Sequence, residues 1–290
     1  MNRLGKKWLG TRKPSYLCFP LLLGGLLLLG GCGYVVRVVQ NSRLRGLDND
    51  IRKATEGIAK ATDRAQRAKA YSTRGSAYAE KARYAQAFKL ISTEEYERLF
   101  ALALQDHDRA VALNPASAEV YYNRGQAYWD RGTGDLADHK DFKPWFDHAA
   151  ADFENASQKD PRNFMAFDML GLSREQNGEW DEAIQDYSRE LVLNPKLGTM
   201  RLADAYCGRG QQDARKMDLA TAAADYEKSV QLGDKTDGCS CEPYNSLLVV
   251  YTDTKQYDKA WEFVHRAERS KHWLDGELVD RLKKASGRNG

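Results

Sequence analysis

Two short stretches gather the residues best suited to chemistry. Residues 237–241, "DGCSC", place Cys239 and Cys241 two positions apart, and thiolates at close spacing can bind a soft metal ion. Residues 138–148, "DHKDFKPWFDH", combine three aspartates with two histidines, which could hold a metal or transfer protons. The two histidines are nine positions apart, which is neither one helical turn nor a familiar ligand spacing. We therefore expect residues 138–148 to form an exposed polar loop.

No metal site or cofactor is predicted. A lone Cys-x-Cys with no nearby histidine is a weak metal pattern, so a metal-binding or enzymatic protein built around Cys239 and Cys241 is the less favoured alternative. The chain contains no G-x-S-x-G, no H-E-x-x-H and no phosphate-binding glycine loop. These observations predict that the protein is not an enzyme.

Cys32 is a candidate for lipid attachment because of the segment before it. Residues 1–31 contain five basic and no acidic residues and end in an apolar stretch followed by glycines, which is the order of an export signal. The sequence Leu-Gly-Gly-Cys at 29–32 resembles the bacterial lipobox, in which small residues admit the signal peptidase and the cysteine thiol carries diacylglycerol. The resemblance implies a lipoprotein-type signal peptide at 1–31, a lipid anchor on Cys32 and a tether at 32–46.

A retained membrane span is the alternative for the same segment. Residues 16–36 carry no charge and, at about 20 residues, are long enough to cross a bilayer as a helix. The cysteine at the end of the apolar stretch favours lipid attachment. Basic residues before the segment favour a cytoplasmic N-terminus, so both interpretations predict an exported, membrane-anchored protein that faces the periplasm. Gly33, rather than aspartate, after the cysteine favours the outer membrane if the cell is Gram-negative.

The mature chain is nearly neutral. Removing the five basic residues of 1–31 leaves 39 basic and 41 acidic residues, so the net charge changes from +3 to −2. A nucleic-acid partner is therefore not expected. An oxidising compartment permits a disulfide among the three later cysteines. A bridge within 239–241 would be strained, so we predict that Cys207 pairs with either Cys239 or Cys241.

A repeated pattern covers most of the remaining chain. Residues 167–195, "FDMLGLSREQNGEWDEAIQDYSRELVLNP", resemble the tetratricopeptide repeat (TPR) in the spacing of an aromatic residue, Leu-Gly, alanine, tyrosine and a final proline. The glycine recurs as Gly75, Gly125, Gly171 and Gly210, with Leu248 in the fifth unit. The small residue that opens the second helix recurs as Ala103, Ala149, Ala183, Ala222 and Ala260, and the later bulky residue as His107, Phe153, Tyr187, Tyr226 and Val264. Glycine and alanine let two antiparallel helices approach closely, while rings fill the space between them.

The resemblance implies an all-α fold: a right-handed TPR superhelix, or α-solenoid, of about five helix-turn-helix repeats. We expect a leading helix at 47–66 and a TPR array at 67–286 that ends in a C-terminal capping helix. Extra residues separate the paired helices of the first two units. We expect the first insert to lengthen helices and the second to form a loop.

The resemblance also implies an adaptor or scaffold function in the cell envelope. The first helix of each TPR pair lines a concave groove, and carrying over its exposed positions gives a set in which acidic residues outnumber basic ones. The set comprises Glu80, Glu119, Tyr122, Gln126, Trp129, Asp130, Asp168, Glu175, Asp204, Gln211, Arg215, Glu242 and Asn245. We therefore expect protein or peptide partners with basic segments. Tyr122 and Trp129 could anchor such a peptide, although Trp129 could instead pack against the inserted loop.

Overall fold

The computed structural model describes residues 32–233 and 242–288, with side chains from residue 40 onward. The predicted signal peptide, Cys239 and Cys241 lie outside these residues. The chain divides into two units, Met1–Gly46 and Leu47–Gly290. Among the described residues, no helix is both long enough and apolar enough to cross a bilayer.

Twelve helices, and no strand, occur in the described part of the chain. They are α1 Cys32–Lys60, α2 Arg64–Ala87, α3 Thr93–Leu113, α4 Ala118–Ala137, α5 Lys143–Lys159, α6 Phe164–Gln176, α7 Trp180–Leu193, α8 Pro195–Arg215, α9 Leu219–Gly233, α10 Pro243–Asp253, α11 Tyr257–Arg269 and α12 Gly276–Ser286. Helices α2 to α11 form five consecutive hairpins, α1 precedes them and α12 follows. The predicted all-α solenoid of about five repeats, with a leading helix and a capping helix, is confirmed.

Each hairpin turns in the same way between its first and second helix. The second residue after the first helix adopts a left-handed backbone conformation, and this conformation lets backbone N–H groups of the turn bond the last carbonyls of the helix. These residues are Lys89 (φ 53°), His139 (φ 58°), Gly178 (φ 77°), Met217 (φ 66°) and Lys255 (φ 59°). The five turns are therefore equivalent positions along one edge of the array.

In the first four hairpins the two helices meet where a glycine faces a ring. A Cβ atom at Gly171 would lie 2.4 Å from the ring of Tyr187, so no larger residue fits without moving the helices apart. His107 takes the place of the ring in the first hairpin. It is fully buried, neither ring nitrogen has a hydrogen-bond partner, and burial lowers its pKa to about 4. His107 is therefore a neutral core residue.

The beginning of the array differs from the prediction. Helix α1 is continuous from Cys32 to Lys60 and so includes the residues expected to form a tether. The leading helix was expected to reach residue 66, but α1 ends at Lys60. Helix α2 begins at Arg64, where the side chain of Asp63 accepts a hydrogen bond from the backbone N–H of Gln66 and caps the helix.

The second insert also lengthens helices. Helix α4 continues to Ala137 and α5 begins at Lys143, so only residues 138–142 lie between them. The loop predicted for 138–148 is correct for its first five residues and wrong for the rest. Pro144 in the first turn of α5 is compatible with a helix start, since its missing N–H would have no partner there.

A buried arginine joins the two inserts. Arg131 lies within 5.1 to 5.5 Å of the rings of Tyr96, Phe100 and Trp145 and forms an ion pair with Asp135. The indole N–H of Trp145 donates to the same carboxylate at 2.8 Å. The extended parts of the first two hairpins therefore pack against each other around one cation.

The last hairpin is covered by α12. Asp275 caps this helix, and Leu282 is fully buried in the same core as Tyr251, Trp261 and Val264. The helix exposes charged residues on its other side, as a terminal cap of a repeat array requires.

We expect Gly198→Ala to destabilise the protein by about 1–3 kcal/mol, because the added methyl would overpack a closed helix junction. Only Asn194 separates α7 from α8, and a Cβ at Gly198 would lie 2.4 Å from the backbone of Leu191. Urea unfolding followed by far-ultraviolet circular dichroism measures the change.

Gly57→Ala is the matched control. Its Cβ would meet only Ala70, at an ordinary distance of 3.5 Å, so alanine should stabilise the helix by about 0.5–1 kcal/mol. Equal effects of the two substitutions would contradict the role assigned to Gly198.

Candidate functional site: the surface of the first helices

The first helices of neighbouring hairpins lie side by side and form one surface. The amide of Asn123 on α4 donates to the hydroxyl of Ser72 on α2 at 2.9 Å. Asp168 on α6 accepts two hydrogen bonds from Arg201 on α8, at 2.6 and 3.3 Å. We call the outward face of the first helices α2, α4, α6, α8 and α10, which carries these contacts on α2 to α8, the first-helix surface.

Two acidic residues define the electrostatics of this surface between α2 and α4. Burial raises the pKa of Asp130, and the neighbouring charge of Glu80 acts in the same direction. Arg83, 3.7 Å away, and the amide of Gln126, at 3.2 Å, oppose this shift. Mutual repulsion between Glu80 and Asp130 means that an added cation would stabilise both.

Two aromatic residues of α4 are half-buried: Trp129, directly before Asp130 in the sequence, and Tyr122, seven residues before Trp129. The ring of Trp129 is 4.9 Å from that of Phe146, and Tyr122 contacts Phe153 edge-to-face at 5.4 Å. The sequence analysis considered that Trp129 packs against the inserted residues, and Phe146 is one of them. Phe146 lies in helix α5, so this contact is made with a helix and not with a loop. Trp129 keeps exposed surface as well, so this contact leaves part of its ring accessible to a partner.

Arginines missed by the sequence analysis neutralise part of the surface. Arg83 faces Asp130, Arg201 holds Asp168, and Arg281 of α12 binds Asp253 on α10. The signal available in the sequence was helical spacing, since Arg83 follows Glu80 by three residues and therefore shares its face. The first-helix surface is consequently less negative than the sequence prediction implies.

The remaining predicted residues differ in exposure. Exposed residues are Glu119, Arg215 and Glu242, and half-buried residues are Glu175, Asp204 and Gln211. Asn245 is only 6% exposed, and its amide oxygen accepts a hydrogen bond from the backbone of Asp275 at 3.0 Å. That side chain positions the capping helix, which the sequence could not show without knowing where α12 packs.

Cys207 is fully buried on α8 and disulfide-bonded. Its partner lies outside the described side chains, so the predicted pairing with Cys239 or Cys241 stays a prediction. Within the described residues, no group of three histidine, cysteine or acidic side chains is arranged to hold a metal ion.

A ladder of ion pairs inside the array was not predicted. In four of the five hairpins an arginine on the first helix pairs with a buried aspartate on the second. The pairs are Arg74–Asp106 at 2.6 Å, Arg124–Asp152 at 2.8 Å, Arg174–Asp186 at 2.6 Å and Arg209–Asp225 at 2.7 Å. The sequence signal is that each aspartate directly precedes the bulky residue of its repeat.

The same arginines connect successive hairpins. Arg124 also binds Asp108 of the preceding second helix at 2.8 Å, and Arg209 binds Asp181 in the same way. In the fifth hairpin Leu247 and Phe263, both buried, occupy the equivalent positions. The ladder therefore fixes the distance between neighbouring repeats and ends where apolar packing replaces it.

Glu190 is the one acidic residue at a position where the other hairpins have alanine or serine. It is fully buried, and neither carboxylate oxygen has a hydrogen-bond partner. Burial raises its pKa to about 8, the charge of Asp168 adds to the shift, and Arg201 opposes it. Glu190 is therefore a neutral acid at pH 7, within electrostatic reach of the Asp168–Arg201 ion pair of the first-helix surface.

Comparisons with known proteins agree with the architecture. A family model described as "TPR repeat" matches residues 100–132, from α3 into α4. Small glutamine-rich tetratricopeptide repeat-containing protein 2 of Saccharomyces cerevisiae is 26% identical over 147 residues, 51% of this chain and 34% of that protein. The match thus covers about a third of the relative's length.

Solved structures are similar at lower identity. BtubC from P. vanneervenii is 16% identical with a TM-score of 0.43, over 80% of this chain and 91% of that one. MamA from Desulfovibrio magneticus RS-1 is 15% identical with a TM-score of 0.38, over 68% and 94%. YrrB, described as a TPR protein with an unusual peptide-binding site, is 17% identical with a TM-score of 0.38, over 73% and 87%. None of these similarities assigns a partner to this chain.

The five hairpins, their glycine–ring contacts and the match at 100–132 define the class. The described helices form a solenoid of the tetratricopeptide-repeat type, and residues 100–132 match the repeat model itself.

We expect the free energy of unfolding to fall as pH rises from about 4.5 to about 8, because folded Glu190 keeps its proton over that range and the unfolded chain does not. Glu190→Gln, which stays neutral, should remove this decrease. The variant should therefore be more stable than the wild type at pH 8 and above, with a difference that shrinks towards pH 4.5. Urea unfolding at a series of pH values measures it.

Glu182→Gln, an exposed change on the same helix, serves as control and should leave the pH profile unchanged. Parallel profiles for the wild type and Glu190→Gln would show that Glu190 does not retain its proton.

Proposed function

We propose that the protein is a cell-envelope lipoprotein that acts as an adaptor and binds basic segments of partner proteins on the first-helix surface. The observation that carries the binding role is the acidic pair formed by Glu80 on α2 and Asp130 on α4. The partly exposed ring of Trp129 also belongs to α4. A cation and an apolar side chain of one partner could contact these groups together.

Electrostatics supports a basic rather than an acidic partner. Burial and the charge of Glu80 both raise the pKa of Asp130, so an approaching lysine or arginine would favour its charged form. An acidic segment would meet the same two charges and be repelled. Exposed Glu119 at the start of α4 extends the negative region.

The packed surface also supports binding without large rearrangement. Trp129 and Tyr122 are oriented by ring contacts with Phe146 and Phe153, so little side-chain entropy is lost when a partner docks. Half-buried aromatic residues of this kind often contribute most of the binding energy of an interface.

The envelope location is supported by the N-terminal sequence. The basic start, the apolar stretch and the Leu-Gly-Gly-Cys sequence favour lipid attachment at Cys32 and export of the array. An inner-membrane-anchored protein of the same binding role, with the apolar stretch retained as a span, is the alternative. The outer membrane is the expected site in a Gram-negative cell, given Gly33.

We expect Glu80→Gln with Asp130→Asn to weaken binding of a labelled peptide of alternating lysine and leucine by about tenfold, since each half-buried carboxylate paired with a lysine contributes about 0.5–1 kcal/mol. Wild-type binding should also weaken as salt is raised, because screening reduces the attraction. Fluorescence anisotropy measures both effects.

Glu182→Gln with Glu262→Gln removes the same charge from exposed positions on second helices and is the control. An equal loss of affinity in this control, or affinity independent of salt, would exclude the first-helix surface as a basic-peptide site.

We expect Cys32→Ser to abolish incorporation of labelled lipid and the mass shift at maturation, because the thiol is the acceptor of diacylglycerol. Cys18→Ser, within the apolar stretch, should leave both unchanged. Labelling that persists in Cys32→Ser, or a chain that keeps residues 1–31, would support the retained span instead. Intact-protein mass spectrometry of membranes distinguishes these outcomes.

A further inference from the structure

The third hairpin contains a buried acid at a position where the other hairpins have small residues. Glu190 lies three residues after Tyr187 on α7 and is fully buried, with no hydrogen-bond partner for either carboxylate oxygen. The equivalent residues are Ala110, Ala156, Ser229 and Ala267. Even the serine is satisfied, since its hydroxyl donates to the carbonyl of Ala203 at 2.7 Å. A buried carboxylate without a partner is costly, so Glu190 holds a proton as long as no cation pairs with it.

One charged group acts on Glu190 from each neighbouring helix. The charge of Asp168 on α6 raises the pKa of Glu190, and that of Arg201 on α8 lowers it. Asp186, one turn earlier on α7, is paired with Arg174 of α6 at 2.6 Å. Arg201 is therefore the cation that can neutralise Glu190.

The junction between α7 and α8 directs Arg201 towards Glu190. Only Asn194 separates the two helices, and a Cβ atom at Gly198 would lie 3.0 Å from the carbonyl carbon of Glu190. Arg201 follows Gly198 by three residues and so lies on the same face of α8. Half-buried Asp204 lies a further three residues along that face.

Arg201 is at present paired with the other acid. It donates to the two carboxylate oxygens of Asp168 at 2.6 and 3.3 Å, and both side chains are mostly buried. Asp168 also acts on Tyr122 of α4, because its charge contributes to the raised pKa of that phenol. A basic segment that contacts Tyr122 is therefore within electrostatic reach of Asp168.

A cation from a partner changes this arrangement. If a lysine or arginine of the partner binds Asp168, Arg201 is released and can pair with Glu190. Glu190 then gives its proton to the solvent and becomes a carboxylate. The exchange replaces one ion pair by two, and no buried charge is left without a partner.

We propose that Asp168 is a cation-binding position of the first-helix surface, occupied by Arg201 in the free protein, and that a basic partner displaces Arg201 to Glu190, which releases its proton. The inference deepens the proposed binding of basic segments and rests on it. Its consequence is that affinity for a basic segment rises with pH, because the free protein holds a proton that the complex does not.

Isothermal titration calorimetry of the full-length protein in neutral detergent counts the released protons. The probe is an acetylated, amidated peptide of alternating lysine and leucine, titrated at pH 7 in phosphate and in Tris, whose ionisation enthalpies differ. Since the pKa of Glu190 is about 8 in the free protein, we expect release of about 0.9 proton per bound peptide. Affinity should rise about fivefold between pH 7 and pH 8, a range in which an ordinary histidine is already neutral.

Substitutions assign the proton to Glu190. Glu190→Gln should abolish both the release and the rise in affinity. Glu190→Ala, which introduces the residue found in three of the other hairpins, should do the same. Glu182→Gln, an exposed change on α7, should leave both unchanged, and Asp130→Asn should weaken binding but keep the release. Equal release by wild type and Glu190→Gln, or release lost only in Asp130→Asn, would overturn the proposal.

Asp168→Asn tests the exchange without a peptide. Removing this carboxylate frees Arg201 to pair with Glu190 in the unbound protein, which lowers the pKa of Glu190. The decrease in the free energy of unfolding between about pH 4.5 and 8 should then be lost, as in Glu190→Gln. Urea unfolding at a series of pH values measures it, with Glu182→Gln as control. A decrease in Asp168→Asn equal to that of the wild type would overturn the exchange.

The calorimetry separates this inference from the proposed function. Failure of the wild type to bind the peptide would overturn the basic-peptide site and the inference together. Binding without proton release would overturn the exchange alone and leave the basic-peptide site intact.

Discussion

The close approach of two helices at a glycine is the constraint on which the array depends. At Gly171 the missing side chain is replaced by the ring of Tyr187 from the second helix, and any Cβ would overlap that ring. The contact fixes the distance between paired helices, and the remaining faces of each pair must then be buried by the next pair. The stacking of hairpins, the first-helix surface and the edge of turns all follow from this repeated distance.

Polar contacts then fix how neighbouring hairpins are arranged. The arginine ladder places a cation between an aspartate of its own hairpin and an acid of the preceding one, as Arg124 does with Asp152 and Asp108. Such buried pairs depend strongly on geometry, since losing one partner leaves an uncompensated charge. The fifth hairpin fills the same positions with Leu247 and Phe263, so apolar packing can serve the same purpose.

The surface is more selective than a uniformly acidic groove. Arg201 neutralises Asp168, whereas Asp130 lies near Glu80 and is only weakly compensated by Arg83. The rings of Trp129 and Tyr122 pack against Phe146 and Phe153 of α5. The fold by itself does not specify a partner, so the proposed binding role rests on these few side chains.

The sequence by itself determined the repeat, the number of hairpins and the residues that separate paired helices, because these depend on local spacing along one chain. It also determined the class of the protein, since the spacing of glycine, alanine and rings is specific to the hairpin. Contacts between residues far apart in sequence were decided only by the tertiary structure. Arg131 contacts Trp145 of the second insert, and the packing of α12 buries Asn245. The physical reason is that charge pairing and burial depend on which helices become neighbours, and a periodic pattern does not record that.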